Sequence, residues 1–340
     1  MNYELIGHGA FGCAFKKDNN IIKITSFNDK NKDELDINLF LQTKNKEKDL
    51  SKSISIIIKF TKYNINSTHT NPQNYQIKFI EGNNEYHNDI LSYITKCNSK
   101  LETKLSMDNS ILIQELPNSG KSLSLYIKNL LENKKGKINE IIDSLRICIN
   151  KSLSSLKVLH SLNIVHGDFH LDNILIDEEG ECRIIDFGKS SIIEVKDNKI
   201  ITVINKQFIE KLVPNITPEC IFVLDKIIIL FSLPKYIHSY NKSNIKNKIN
   251  EYDTDKENNK INFNTIDNLF KIDLYNFGNE LDLLLYPIIY EDMYYDRNTS
   301  EFKRVNPDTS GMKDYGIIDL FIQKIADIDY TKRQLLYEVI

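Results

Sequence analysis

The stretch from Val165 to Ser190, VHGDFHLDNILIDEEGECRIIDFGKS, contains the side chains with the clearest capacity for chemistry. Two short apolar strands are predicted in it around an acidic turn, with Asp168 and Asn173 before the first strand and Asp186 after the second. Such a hairpin brings three oxygen-bearing side chains to one edge. Asn173 and Asp186 suit a hard cation such as Mg²⁺, and Asp168 remains available to take a proton from an attacking hydroxyl. The stretch therefore predicts a metal site with a general base beside it.

Two parts of this stretch resemble motifs of protein kinases. HGDFHLDN is similar to the catalytic loop H-R-D-L-x-x-x-N, and IIDFG is similar to the D-F-G motif. Asp168 and Asp186 are 18 positions apart (186 − 168), which matches the usual separation in the family. On these motifs the chain is identified as a member of the protein kinase-like superfamily, as a divergent eukaryotic-type serine/threonine kinase of a kind that large DNA viruses also encode.

The resemblance implies an α+β fold with two lobes. The N-lobe would hold a small antiparallel β-sheet and one helix, and the C-lobe would be mostly α-helical. We place the N-lobe at residues 1–117, with an insertion at about 26–80, and the C-lobe at 118–340, with an insertion at about 220–263. A chain of 340 residues is long enough to bury the cores of two such lobes.

A glycine-rich segment, GHGAFG, follows the first predicted strand and supplies Gly7, Gly9 and Gly12. Alternating apolar residues on both sides of an Asp-Asn-Asn turn predict a β-hairpin after it, whereas a dinucleotide-binding fold would open a helix there. Glycine lets the backbone approach phosphates closely, because it has no Cβ. By resemblance to the family, this segment would cover the phosphates of ATP, with Phe11 shielding them and Ala14 lying over the adenine.

The resemblance also requires a strand lysine for the α- and β-phosphates and a glutamate that pairs with it. Lys23 is the first choice, because its strand pairs back to the glycine-rich segment. Lys59 and Lys78 lie in similar strand patterns and remain alternatives. Glu85 is the first choice for the glutamate, because it lies on a predicted helix that precedes a hairpin, which is the order in the family. Glu34, on an earlier predicted helix, is the alternative.

The segment SILIQELPNSG resembles the last strand of the N-lobe and the hinge that follows it. Gln114 would be the gatekeeper residue, and the backbone from Glu115 to Pro117 would face the edge of the adenine. Proline has no N–H group. We therefore expect one hinge hydrogen bond fewer than the family usually makes, with the adenine held more by apolar packing.

The predicted C-lobe departs from the family at several motif positions. Gly167 replaces the arginine of H-R-D, which argues against regulation through a phosphorylated activation loop. His170 replaces the lysine that is typical of serine/threonine kinases, and its imidazole could still hydrogen-bond the γ-phosphate. Asp273, in a segment that resembles the helix at the base of the C-lobe, would cap that helix and hold the catalytic-loop backbone. The triplet at 217–219 is the nearest match to A-P-E, and Arg333 would pair with its glutamate.

The composition indicates a globular protein and gives no general reason to expect nucleic-acid binding. Hydrophobic residues make up 41% of the chain and charged residues 27%, and the formal net charge is −3. No apolar run is long enough to span a membrane. The five cysteines lack zinc-binding spacing, and their scatter favours a reducing compartment. We therefore expect a cytoplasmic location, which would be the host cytoplasm or the virion for a viral protein.

These observations together predict an ATP- and Mg²⁺-dependent phosphotransferase, with Mn²⁺ as an alternative metal. Its acceptors would be serine or threonine hydroxyls of proteins, so ATP and a protein substrate are the expected partners. Asp168, His170 and Lys23 are the expected catalytic residues. Two alternatives remain. A small-molecule kinase of the aminoglycoside or choline type is favoured by His170 and Gly167, and a pseudokinase would act as a binding scaffold.

Overall fold

The computed structural model describes residues 3–9, 12–68, 71–86, 88–100, 105, 110–133, 138–196, 199–204, 266–290, 293–296, 301–304, 316–326 and 334–339. Contacts between residues divide the chain into two compact units. The first unit comprises Met1–Ser119 and Asp186–Gly188, and the second comprises Gly120–Ile185 and Lys189–Ile340. Several predictions lie outside the described residues, namely Phe11, the triplet at 217–219, the insertion at about 220–263 and Arg333.

Alternating apolar residues build one antiparallel sheet in the first unit. Its six strands are β1 (Glu4–Gly9), β2 (Gly12–Lys17), β3 (Asn20–Ser26), β4 (Lys59–Thr68), β5 (Asn71–Gly82) and β6 (Ser110–Pro117). They lie in the order β1-β2-β3-β6-β4-β5. In β3, Ile22 and Ile24 are fully buried on one face, and because strand side chains alternate, Lys23 between them lies on the other face.

A helix packs against each face of this sheet. Helix α1 (Asp29–Glu47) contributes Leu35 to a cluster with Leu112 of β6. Helix α2 (Ile90–Asn98) contributes Tyr93 to a larger cluster that contains Ile113 of β6. Neighbouring residues of a strand point to opposite faces, so α1 and α2 cover opposite sides of the sheet.

The region at about 26–80, predicted to be an insertion, supplies α1, β4 and β5. Strand β6 pairs with β3 on one side and with β4 on the other. The region's own strand β4 is therefore part of the continuous sheet, and its helix covers one of the two faces. That these residues are an insertion relative to the family, and the lobe limits of 1–117 and 118–340, stay predictions.

A disulfide joins Cys13 of β2 to Cys97 of α2, and Cys148 and Cys182 are free and buried. Disulfides persist mainly in oxidising compartments. The disulfide therefore does not support the argument for a reducing compartment that the scattered cysteines suggested, and the cytoplasmic location stays a prediction.

The second unit combines four described helices with short strands. The helices are α3 (Leu123–Asn133), α4 (Ile138–His160), α5 (Ile266–Tyr290) and α6 (Gly316–Ile325). The strands are β7 (Lys121–Ser122), β8 (Ile164–Val165), β9 (Ile174–Ile176), β10 (Cys182–Ile184), β11 (Ser191–Lys196), β12 (Lys199–Ile204), β13 (Met293–Asp296) and β14 (Glu301–Arg304). They form sheets in the orders β10-β9-β7, β12-β11-β8 and β13-β14.

Helix α4 leads into the catalytic loop, as its apolar pattern predicted. One stripe of its side chains is fully buried, namely Ile141, Leu145, Ile149, Leu153, Leu156 and Leu159. This spacing of three and four residues is the core-facing face of an amphipathic helix. A sheet with helices in the first unit and mainly helices in the second confirm the α+β class. None of the helices in the described part of the chain has both the length and the apolar character needed to cross a membrane.

Candidate active site

Lys23 in the first unit contacts two carboxylates. Its Nζ atom lies 2.6 Å from Oε1 of Glu34 and 3.6 Å from Oδ1 of Asp186. Helix α1 begins directly after β3, and this short connection places Glu34 in the second turn of the helix, where it is buried. Asp186 has a left-handed backbone, with φ of 63°, which few residues other than glycine and short polar ones adopt. The first unit therefore holds a lysine oriented by one glutamate and one aspartate.

Burial and the neighbouring charges determine the protonation of Lys23 and Glu34. Burial alone would lower the pKa of Lys23, but the attraction of Glu34 and then of Asp186 outweighs burial, and the pKa lies above its ordinary value. Burial raises the pKa of Glu34 more than the charge of Lys23 lowers it, and the nearby Asp186 raises it further. Lys23 is therefore a fixed cation, which is the form that binds phosphate oxygens.

The structure differs from the first-choice prediction for the glutamate. Glu85 forms an ion pair with Lys59, and Lys59 also lies 3.3 Å from Glu115. Lys23 lies opposite Gln114 in the sheet register, whereas Lys59 lies opposite Glu115. Because consecutive residues of β6 face opposite ways, Glu85 and Lys23 lie on opposite sides of the sheet. The alternative, Glu34, is the glutamate that Lys23 contacts.

Ala14, Lys23 and Gln114 occupy one row across three neighbouring strands. Ala14 is paired with Lys23, and Lys23 is paired with Gln114, so the three side chains share a face. Gln114 is 1% exposed, and its Nε2 atom has no hydrogen-bond partner among the described residues. A buried donor without a partner is costly. The row therefore offers a hydrogen-bond donor to a ligand beside the lysine.

The predicted hinge ends strand β6. The carbonyl of Glu115 accepts a hydrogen bond from the N–H group of Ile58 at 2.8 Å, which uses one of its two acceptor positions. The side chain of Glu115 is buried and accepts hydrogen bonds from Asn20 and Tyr86. Pro117 is the last residue of β6 and lies opposite Asn20. The predicted contacts of this backbone with adenine stay a prediction.

The glycines of GHGAFG have different surroundings. Gly9 and Gly12 are paired where β1 turns into β2. A Cβ atom on Gly12 would lie 2.1 Å from the carbonyl oxygen of Ile24, whereas one on Gly7 would meet nothing within 4 Å. Gly12 is therefore required by the close approach of β3, and Gly7 leaves open space above the strand. Their predicted contacts with phosphate stay a prediction.

In the second unit, Asp273 of α5 holds the catalytic loop through hydrogen bonds. Its carboxylate accepts from the N–H groups of His166 at 2.8 Å and Gly167 at 2.7 Å, and Nε2 of His160 lies 2.9 Å away. Asp273 is completely buried. It lies seven positions after the start of α5 at Ile266, so it does not cap the helix as expected. Its predicted role in holding the loop agrees with these contacts.

The loop geometry explains why glycine follows the histidine. Gly167 has φ of 76°, a left-handed conformation that costs other residues about 1 to 2 kcal/mol. His166 is buried, and its Nδ1 atom accepts a hydrogen bond from the N–H group of Asp168 at 3.2 Å. The opposite ring nitrogen, Nε2, then carries the proton and donates to the carbonyl of Ile185 at 2.9 Å. This backbone turn fixes the position of Asp168.

Among the described residues of the second unit, three polar side chains contact Asp168. Nζ of Lys189 lies 2.8 Å from Oδ1 of Asp168, and Nε2 of His170 lies 3.7 Å from Oδ2. The side-chain amide of Asn173 donates to the backbone carbonyl of Asp168 at 2.9 Å. Burial alone would raise the pKa of Asp168, but His170 and Lys189 together hold it well below its ordinary value. The carboxylate is therefore ionised and able to accept a proton.

The contact of Lys189 with Asp168 was not predictable from the sequence. Lys189 directly follows the D-F-G motif and lies within the stretch of greatest chemical interest. A lysine next to a strand end carries no periodic pattern that would indicate its partner. Its position one residue after a motif with a predicted metal ligand was the only available signal.

The residues present suit a nucleotide with a divalent cation. Within the described ranges, no three or more His, Cys, Asp or Glu side chains cluster so that they could hold a metal ion. Asp186 in the first unit and Asn173 in the second each carry an oxygen donor of the type that Mg²⁺ prefers, and Mg²⁺ usually takes few protein ligands together with phosphates and water. The Nε2 donor of Gln114, which has no hydrogen-bond partner among the described residues, could bind the nucleobase of a nucleotide, and the cation of Lys23 could bind its phosphates.

Comparison with known proteins identifies kinases as relatives of this chain. The family model for the protein kinase domain matches residues 43–210. "Probable serine/threonine protein kinase IRE" of Arabidopsis thaliana is 38% identical over 85 residues, which are 25% of this chain and 7% of that protein. "Sperm motility kinase 2B" of Mus musculus is 38% identical over 88 residues, 26% of this chain and 16% of that protein. "Serine/threonine-protein kinase BCK1/SLK1/SSP31" of Saccharomyces cerevisiae is 29% identical over 108 residues, 30% of this chain and 7% of that protein.

The matched segments are short, and the chain spans at most 16% of the length of these three relatives. The family model includes Asp168, Asn173 and Asp186 but begins after Lys23 and Glu34. The ion pair between Lys23 and Glu34 is therefore an observation independent of the match. The matched domain, the kinase relatives and the two motifs with their observed contacts support membership of the protein kinase-like superfamily.

Proposed function

We propose that this chain transfers the γ-phosphoryl group of ATP, with Mg²⁺, to serine or threonine hydroxyls of a protein. The observation that carries the proposal is the contact of Lys23 with Glu34 and Asp186. This contact joins a fixed cation to a carboxylate that suits a metal, and its two members Lys23 and Glu34 lie outside the matched domain, whereas Asp186 lies inside it. The ionised Asp168, beside Asn173, supplies the base that such a transfer needs.

Each residue has a separate task in this proposal. Lys23, held by Glu34, binds oxygens of the α- and β-phosphates, and Asp186 and Asn173 are the candidate ligands for the metal. Bound Mg²⁺ would neutralise the charge that develops on the phosphates. Asp168 orients the acceptor hydroxyl and takes its proton. Asp273 acts indirectly, because it holds the backbone that carries Asp168.

The acceptor class is a second question, and one observation favours a small molecule. Gly167 stands at the position where many protein kinases carry the arginine that responds to a phosphorylated loop. Its left-handed backbone is one that an arginine would adopt only with strain. We still favour a protein acceptor, because the relatives are named as protein kinases. Asp273 also binds the loop in the way expected from the protein kinase helix that its segment resembles.

Two measurements test the proposal. A ligand that binds only the folded protein raises its melting temperature, so Mg-ATP should stabilise the chain and Mg²⁺ without nucleotide should not. Radiolabelled ATP should then label a generic basic protein and leave a panel of aminoglycosides and choline unlabelled. Stabilisation without transfer to either class would indicate a pseudokinase, and labelling only of the metabolites would replace the protein acceptor by a small molecule.

A further inference from the structure

Lys189 places a positive charge directly on the proposed base. Its Nζ atom lies 2.8 Å from Oδ1 of Asp168, and its side chain is 46% exposed. A flexible lysine that is partly exposed can move its ammonium group by several ångströms without disturbing a packed core. The ammonium group of Lys189 is therefore available to an anion that approaches the acceptor hydroxyl beside Asp168.

His170, the residue first considered for this charge, is fixed within the loop. Its Nδ1 atom accepts a hydrogen bond from the N–H group of Asp172 at 3.3 Å, which caps the short 3-10 helix Leu171–Asn173. Its Nε2 atom lies 3.0 Å from the side-chain amide of Asn173 and 3.7 Å from Oδ2 of Asp168. Both ring nitrogens therefore have neighbours in the loop, and Lys189 makes the closer contact with Asp168.

We infer that Lys189 binds the transferred phosphoryl group and takes the position that a catalytic-loop lysine would otherwise fill. This inference rests on the proposed function. In the step, the bond between the γ-phosphorus and the bridging oxygen breaks and leaves ADP, while the acceptor oxygen bonds to the phosphorus. The hydroxyl proton passes to Asp168. Lys189 keeps its own proton throughout. Its ammonium group leaves the carboxylate of Asp168 and binds a phosphoryl oxygen instead.

The ammonium group of Lys189 needs to move only a short distance from Asp168 to the phosphoryl oxygens. A base lies about 3 Å from the hydroxyl that it deprotonates, and the phosphorus lies about 3 to 3.5 Å from the attacking oxygen. An ammonium group 2.8 Å from the base is therefore within a few ångströms of the incoming phosphoryl oxygens. Before nucleotide binds, the same contact keeps Asp168 paired.

Equilibrium binding tests the inference without any turnover. The dissociation constants of Mg-ATP and Mg-ADP are measured by calorimetry for the whole chain and for Lys189→Ala, with no acceptor present. Because only ATP carries the γ-phosphate, the substitution should weaken ATP binding by about tenfold and change ADP binding by less than about twofold. Lys151→Ala is the matched control, since Lys151 forms a comparable partly exposed ion pair with Glu181 at 2.9 Å.

Relocating the charge provides a second test. Lys189→Ala should lower kcat for transfer by about a hundredfold, and Lys189→Arg should retain most of it. Adding His170→Lys to Lys189→Ala should restore at least tenfold of the loss, because it returns an ammonium group to the loop. Lys151→Ala should leave kcat unchanged.

The outcomes separate the inference from the function on which it rests. If the parent chain binds ATP and transfers phosphate while Lys189→Ala keeps its ATP affinity and kcat, the inference is wrong and the function stands. A rise in kcat for Lys189→Ala would mean that the lysine blocks the base, which also overturns the inference. If the parent chain binds neither nucleotide, both proposals fail.

Discussion

Asp273→Asn should destabilise the second unit and release the catalytic loop. The carboxylate accepts hydrogen bonds from the N–H groups of His166 and Gly167 and contacts His160, all in a fully buried position. An asparagine has one acceptor oxygen, so its amide would place a donor against at least one of these donors. Removing one partner of a buried charged network costs about 3 to 5 kcal/mol.

This free energy converts to a measurable change in melting temperature. For a domain of 150 to 250 residues, 1 kcal/mol corresponds to roughly 2 to 4 °C, so Asp273→Asn should melt roughly 6 to 20 °C lower. The control is Asp267→Asn on the same helix, where the side chain is exposed in the first turn. There the loss should be at most about 1 kcal/mol, from the helix dipole alone.

Hydrogen exchange locates the effect. The backbone N–H groups of His166 and Gly167 should lose protection in Asp273→Asn and keep it in Asp267→Asn, because only Asp273 accepts their hydrogen bonds. Equal melting temperatures for the two variants, or unchanged exchange at His166 and Gly167, would refute the argument that this carboxylate holds the loop.

The ion pairs of Lys23 with Glu34 and of Arg183 with Asp177 give further expectations. Glu34→Gln should weaken Mg-ATP binding by about tenfold, because Lys23 loses its partner, whereas Glu85→Gln should change it by less than about twofold; equal effects in calorimetry would contradict the assignment of Glu34. Burial alone would raise the pKa of Asp177, but its hydrogen bond with Arg183 brings the pKa below the ordinary 3.8. A carboxyl whose pKa is lowered on folding stabilises the fold at pH values above its ordinary pKa. This stabilisation is lost as the pH falls through the lowered pKa. Arg183→Gln should therefore cost about 1 to 2 kcal/mol in urea denaturation at pH 7, with a difference that shrinks below about pH 4; a pH-independent difference would contradict this.

Contiguous motifs were the most predictable part of this protein. Asp168, Asn173 and Asp186 lie close together in sequence, and the separation of the two motifs already indicated the family. The amphipathic helix before the loop was also predictable, because its apolar spacing repeats over about five turns, from Ile141 to Leu159, and overrides local ambiguity. In both cases, the signal lies within one continuous segment.

Features that depend on how segments pack were not predictable from the same rules. Glu34 and Glu85 both lie before the hinge strand, and only the sheet register shows that Lys23 faces α1 rather than α2. The disulfide between Cys13 and Cys97 joins residues 84 positions apart. Lys189 reaches Asp168 because the backbone turns after the D-F-G motif, and no local pattern encodes that contact.

Asp168 is the proposed base of the phosphoryl transfer. The most direct measurement compares label transfer from γ-labelled ATP to a basic protein by the parent chain and by Asp168→Asn, with Mg-ATP binding measured in parallel. We expect transfer by the parent chain, loss of at least about a hundredfold in the variant, and retained ATP binding in both. Equal transfer rates in the two proteins would contradict the assignment of Asp168 as the base.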